Sequence, residues 1–210
     1  MRVFLIRHGR TAWNARGLFQ GTKDIPLDKT GLFQAEAMAK KAAQIPFDAV
    51  WSSPLLRALE TARVLAGKKG LKVRVHGGLR EIEHGEWEGL DAKTVAGRWP
   101  GLLGLWHERP DEVVMPGGES LEDVRARALE AMEVVFGEGR ESVAVVSHDA
   151  VIKVLLCSWL GLSLGAFWRF DIGNGSITGV EKTEAGFRLF LLGDLSWSNT
   201  PYERERQTSL

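Results

Sequence analysis

Apolar and polar positions alternate in blocks along the chain, and the blocks predict a succession of strands and helices. Val3 to Ile6 is a short apolar run, cut off by Arg7 and His8, and reads as a fully buried strand. Residues 9–29 are polar and contain glycine, as a loop would. Leu32, Ala35, Met38, Ala39 and Ala42 then recur at helical spacing, which predicts a helix from Gly31 to about Gln44 with Thr30 as its cap. Asp48 to Trp51 predicts a second strand. Ser53-Pro54 follows as a helix start, serine at the cap and proline at the first helical position, for a helix reaching about Ala66. Lys72 to Val75 alternates like a third strand. Residues 79–118 carry Trp87, Trp99 and Trp106 among prolines and glycines and read as a flank of short helices. Ser120 and Asp123 form a capping-box pattern that opens a helix to about Phe136. Val143 to Val146 predicts another buried strand, Ala150 to about Leu160 an apolar helix, and Ile177 to Glu181 and Phe187 to Leu192 two final strands. The polar stretch Tyr202 to Leu210 is expected to be mobile.

Strands that alternate with helices imply an α/β architecture with a mostly parallel sheet. The 210 residues show no repeat and no linker, so a single domain spanning 1–210 is expected. Lys plus Arg and Asp plus Glu are 27 each, and this zero net charge argues against a general nucleic-acid or membrane-surface binder. One cysteine, Cys157, sits in an apolar run and reads as a packing residue, which rules out a disulfide framework within the chain. The run before Arg7 is too short for a signal-peptide core, and no stretch approaches the ~18 apolar residues of a spanning helix. A cytoplasmic setting is expected. The apolar helix and the late strands could pair two copies into a homodimer.

Two buried strands end in histidine, at Arg7-His8-Gly9 and at Ser147-His148-Asp149. In open α/β sheets, ligands bind beyond the carboxyl ends of strands, so neighbouring strands would place both imidazoles in one crevice. Arg7 would stand beside His8, and Arg57, one turn into the helix after the second strand, faces the same edge. The exposed N–H groups at that helix start would also favour an anion. Arginine offers a fixed charge and a planar fork matched to phosphate oxygens. A neutral imidazole can act as a nucleophile near neutral pH. Phosphoryl transfer mainly needs positioning and charge stabilisation, so this set fits it without asking for a metal or other cofactor.

At this point the residues resemble a known family. Arg7-His8-Gly9 with Thr11 and Asn14 is similar to the signature of the histidine phosphatase superfamily, in its phosphoglycerate mutase-like branch. Leu27 to Gly31 with Gln34-Ala35, Ser52 to Ala58 with Glu60-Thr61-Ala62, Leu79 to Gly89, Pro116 to Ser120 and Val146-Ser147-His148 continue the resemblance in order. It implies a three-layer α/β/α fold and a phosphomonoesterase acting on small phosphate esters. It implies that His8 becomes phosphohistidine, that Arg7, Arg57 and His148 hold the phosphoryl oxygens, and that Glu81 protonates the leaving oxygen and then activates water. Only the motif alignment selects Glu81 over Glu83, Glu86 and Glu88. Asn14, Gln20 and Gly21 are implied as further phosphate contacts, and no metal ligand is implied. Arg10 departs from the family's usual acidic residue, as a surface change or an extra anion contact.

The alternative is a mutase with the same nucleophile. The resemblance implies that mutases carry a tyrosine, a lysine and an arginine pair here; this chain has His84 and Ala92, with Lys93 one place late, and isolated Arg98 and Arg109. The flank is therefore more similar to broad-specificity and alpha-ribazole phosphatases. Its tryptophans are expected either to wall the leaving-group pocket or simply to fill the core. Gly161-Leu162-Ser163-Leu164-Gly165 matches a serine-hydrolase elbow, but it follows a helix rather than a strand and is read as a helix-ending loop.

Overall fold

In a computed structural model, residues 1–198 are described; the expected tail at 202–210 lies outside them. Six strands form one sheet: β1 (Arg2–Arg7), β2 (Ala49–Ser52), β3 (Val73–Val75), β4 (Ser142–Ser147), β5 (Ile177–Thr183) and β6 (Gly186–Asp194). Their spatial order is β3-β2-β4-β1-β5-β6. The first four run parallel, while β5 and β6 are antiparallel additions at one edge.

The period-2 alternation of the central strands fixes the layers. Val3 and Leu5 of β1 and Val143 and Val145 of β4 face one apolar core. Phe4, Ile6, Ala144 and Val146 face the other. The helices α2 (Lys29–Ala42) and α3 (Leu56–Gly67) cover the second face. The first is covered by α6 (Leu121–Gly137) and α7 (Asp149–Trp159). The result is the expected three-layer α/β/α arrangement, with hydrophobic burial on both sheet faces as its main driving force.

Several local expectations shift. The helix α2 begins earlier than Thr30 would have it, because Asp28 is the cap: its Oδ1 accepts the Gly31 N–H at 2.7 Å. The loop 9–29 contains one turn of helix, α1 (Ala12–Ala15), closed by a Thr11–Asn14 capping box. The helix α3 does not start at Ser53-Pro54. Leu55 occupies its cap without a side-chain bond, and Asp24, from the distant loop, accepts the Leu56 N–H at 2.6 Å. That carboxylate takes the helix-start donor that had been expected to face an anion. The flank contains α4 (Ala92–Arg98), α5 (Leu102–Glu108) and short 3-10 turns at Gly77–Leu79, Gly85–Trp87 and Pro110–Glu112.

Ser120 and Asp123 do form the predicted capping box, and Cys157 is fully buried. The apolar helix α7 is buried along nearly its whole length within the molecule, so it offers no face to a second copy. The edge strand β6 exposes Phe190 and Leu192. Among the described residues, no helix is long and apolar enough to cross a membrane.

Candidate active site

Because β1 and β4 are parallel neighbours, with Arg7 paired to Ser147, the residues after them emerge together. The His8 and His148 ring centroids are 5.1 Å apart. Both rings are buried. Two hydrogen bonds fix the His8 tautomer. Nδ1 lies 2.7 Å from the Gly9 carbonyl, which can only accept, so Nδ1 carries the proton. Nε2 accepts from Arg57 Nε at 3.2 Å, so its lone pair points toward the guanidinium. Burial, then the charges of Arg57 and Arg7, hold the imidazole well below its ordinary range despite the Gly9 bond. His8 is thus neutral with Nε2 unprotonated, the form a nucleophile requires.

Arg57 is the second residue of α3 and is fully buried. Its other two nitrogens donate to the Lys23 carbonyl at 2.9 Å and the Gly21 carbonyl at 2.8 Å. Burial lowers the guanidinium to about 10, so it stays charged at neutral pH. Thr61, one turn on, donates to the Arg57 carbonyl and accepts the Gly9 N–H, tying α3 to the loop behind the nucleophile. The close approach of that loop to α2 requires glycine: a Cβ on Gly9 would stand 2.4 Å from the Gly31 oxygen. Arg7, at the end of β1, donates Nη1 to the Ile172 carbonyl at 2.5 Å and lies 3.3 Å from Asp149 Oδ1.

His148 sits at the start of α7, with Nε2 2.8 Å from Ser53 Oγ. Ser53 Oγ thus bonds the second histidine while also accepting the Leu55 N–H at 3.2 Å, just ahead of α3. The His148 Nδ1 is buried and lacks a protein hydrogen-bond partner among the described residues. Burial first, then Arg57 and His8, push its pKa well down.

The structure separates the candidate carboxylates. Glu81 is 4% exposed and accepts only the adjacent Ile82 N–H, at 2.9 Å. Burial, then the neighbouring Asp149 charge, raise its pKa against the opposing pull of Arg57, the Ile82 bond and Arg7. Glu88 is engaged by Thr22 and Lys23, while Glu83 is partly exposed and Glu86 exposed. Of the four, Glu81 is the one buried as a whole residue, and its pKa is raised.

Asn14 and Gln20 both turn their carbonyl oxygens to the Thr11 hydroxyl, at 3.1 and 2.7 Å, which leaves their amide N–H groups for other acceptors. Gly21 serves through its backbone, holding Arg57, and its φ of +52° together with the contact a Cβ would make with Glu88 demands glycine there. Arg10 is drawn to the start of α2, bonding Asp28 at 2.9 Å and Thr30 at 2.8 Å.

Residues 172–176 were not anticipated. Asn174 Nδ2 donates to the His8 carbonyl at 3.1 Å, and the Gly175 N–H reaches the Arg7 and His8 carbonyls. No pattern in the sequence distinguishes this loop. Asp149 and Lys153 form a buried pair behind Arg7. They did leave a signal, as two opposite charges one turn apart on an otherwise apolar helix.

The tryptophan question resolves toward the core: Trp87 and Trp106 are buried, and Trp99 packs partly buried on Trp87. His84 lies among them, edge-on to Phe19 at 5.0 Å and to Trp106 at 6.4 Å and parallel to Trp87 at 6.5 Å. It is fully buried, neither ring nitrogen has a hydrogen-bond partner among the described residues, and burial drives its pKa down to about 3.

Comparison with known proteins agrees with this geometry. The sequence profile of the histidine phosphatase superfamily (branch 1) matches residues 3–195. Phosphoserine phosphatase 1 of Hydrogenobacter thermophilus is 34% identical over 185 residues, covering 88% of each chain. A probable phosphoglycerate mutase, GpmB, of an Enterobacter species is 28% identical over 99% of both. The solved structure of a mycobacterial glucosyl-3-phosphoglycerate phosphatase superposes with a TM-score of 0.83 at 30% identity, over 91% of this chain and 98% of that one.

Proposed function

Since the chain belongs to the histidine phosphatase superfamily and is a phosphoric monoester hydrolase, we propose that it hydrolyses small-molecule phosphate esters through a phosphohistidine on His8, with no metal in the step. The observation that carries this reading is the tautomer of His8. Its Nδ1–H is spent on Gly9 and its Nε2 lone pair is held beside Arg57. An incoming phosphoryl group would take over the Arg57 Nε donor and free Nε2 to attack phosphorus.

Arg7, Arg57 and His148 would hold the equatorial oxygens, supplying the fixed positive charge that phosphoryl transfer demands. The Asn14 and Gln20 amides and the Gly21 turn complete the anion site. Glu81, whose burial favours the protonated form, gives its proton to the departing alkoxide. The resulting carboxylate then takes a proton from the water that attacks the phosphohistidine, which releases inorganic phosphate and restores His8. The substrate is a small ester. Balanced charge disfavours nucleic acid and membrane surfaces as partners, the single buried thiol suits a cytoplasmic setting, and the β6 edge is the seam for a homodimer.

The test is inorganic phosphate release from a panel of phosphomonoesters in EDTA, with the His8→Ala protein alongside and phosphoglycerate interconversion followed in the same tubes. Release that survives EDTA and vanishes in His8→Ala is expected. Interconversion of 2- and 3-phosphoglycerate without release would make the chain a mutase instead.

A further inference from the structure

Behind Arg7 lies a charged pair whose carboxylate has entered the chemistry above only as the neighbour that helps raise the Glu81 pKa. Lys153 Nζ meets Asp149 Oδ2 at 2.7 Å, one helical turn away on α7, and both side chains are almost fully buried. The other carboxylate oxygen, Oδ1, faces Arg7 Nη1 at 3.3 Å. The Lys153 ammonium is packed on aromatic faces, 4.8 Å from the Phe167 ring centre and 4.6 Å from that of Trp168. Trp168 is itself pinned by a bond from its Nε1–H to the Trp106 carbonyl at 2.6 Å.

Burying an ion pair removes both charges from water, and an apolar pair of similar size would usually be as stable. Stability therefore gives little reason for these two residues. Their charge balance gives a better one. A carboxylate beside a phosphate-binding guanidinium orients it but also competes with the phosphate for it. Arg7 and Asp149 alone sum to zero; with Lys153 the trio keeps one positive charge. The carboxylate is thus shared: Oδ1 accepts a hydrogen bond from Arg7, and Oδ2 forms a close ion pair with Lys153, which offsets its charge.

We infer that Asp149 and Lys153 are positioning residues for Arg7: Asp149, with the Ile172 carbonyl, fixes the direction of the guanidinium, and Lys153 cancels the carboxylate so that Arg7 keeps its pull on the phosphoryl group. The inference rests on the proposed role of Arg7 as a phosphoryl contact.

Charge and position can be separated by substitution. The double variant Asp149→Ala/Lys153→Met keeps the wild-type charge of the trio and leaves Arg7 as its one buried ion, still bonded to the Ile172 carbonyl. If charge alone mattered, it would bind vanadate, an oxyanion that mimics the transferring phosphoryl group, as the wild type does. A positioning role predicts weaker vanadate inhibition and lower kcat/KM, by roughly 10- to 100-fold, the usual scale for losing a hydrogen bond to a charged group. The single variant Asp149→Ser provides a second arm should the double variant not fold. It adds positive charge, so a purely electrostatic role predicts tighter vanadate binding and a positioning role weaker binding. Lys153→Arg is expected to retain most activity. Vanadate binding indistinguishable from wild type in the double variant, or tighter binding in Asp149→Ser, would overturn the inference. A wild-type protein without phosphatase turnover would instead sink the proposed function.

Discussion

Replacing His84 by phenylalanine should make the protein more resistant to acid. In the folded chain the imidazole is fully buried among Phe19, Trp87 and Trp106, and its pKa falls to about 3 from an ordinary 6.5. The sign follows from proton counting. Between those two values the unfolded chain binds a proton that the folded chain refuses, so stability rises with pH through this window and is lost as pH falls below 6.5. At pH ~5 the imidazole alone costs about 2 kcal/mol relative to pH ~7.5, at roughly 1.4 kcal/mol per pH unit over about one and a half units. Phenylalanine carries no such cost. Any packing strain from the larger ring is the same at both pH values and cancels in the comparison. Urea unfolding of wild type and His84→Phe at pH ~5 and ~7.5 measures the difference directly. The gap between the two proteins should move by about 2 kcal/mol in favour of the variant on acidification, or roughly 4–8 °C in melting temperature for a chain of this size. A gap that does not change with pH would refute the reasoning, since it would mean that His84 titrates alike in the folded and unfolded chains.

Three further outcomes are expected. Glu81→Gln should lower kcat on alkyl phosphates by about 10²–10⁴-fold and remove the fall in rate that comes as pH rises through the raised pKa of Glu81; aryl phosphates, whose leaving groups need no proton, should be hit less, as parallel pH–rate profiles would show. Gly9→Ala should destabilise the fold by about 1–3 kcal/mol in urea unfolding, since the new methyl meets the Gly31 backbone at 2.4 Å, and should disturb His8 beside it. In sedimentation velocity, Phe190→Lys should shift the protein toward monomer, as this exposed ring lies on the edge strand β6.

The sequence was most legible where one physical signal had one outcome. Buried runs ending abruptly in His8 and His148 marked two strand ends, but, being apolar throughout, they did not show which residues face which helical layer. The adjacency of β1 and β4, far apart in the chain, was an assumption there, because strand order depends on tertiary packing. The α3 start was misplaced because a distant group competed there: Asp24, from the loop before α2, accepts the Leu56 N–H. In the sequence His84 reads only as the residue at the position of the mutase tyrosine, and only the fold shows that aromatic rings enclose it. Asn174 and Gly175 brace His8 through backbone contacts that leave no periodic trace.

The most direct test of the central claim is to trap the enzyme during turnover. The protein would be quenched in alkali, where phosphohistidine survives, shortly after mixing with a phosphate ester, then digested and examined by mass spectrometry. A phosphoryl group on the peptide that carries His8, labile in acid and absent from His8→Ala, is the predicted result. Steady turnover with no phosphoryl group on that peptide at any quench time, or turnover that persists in His8→Ala, would contradict the account.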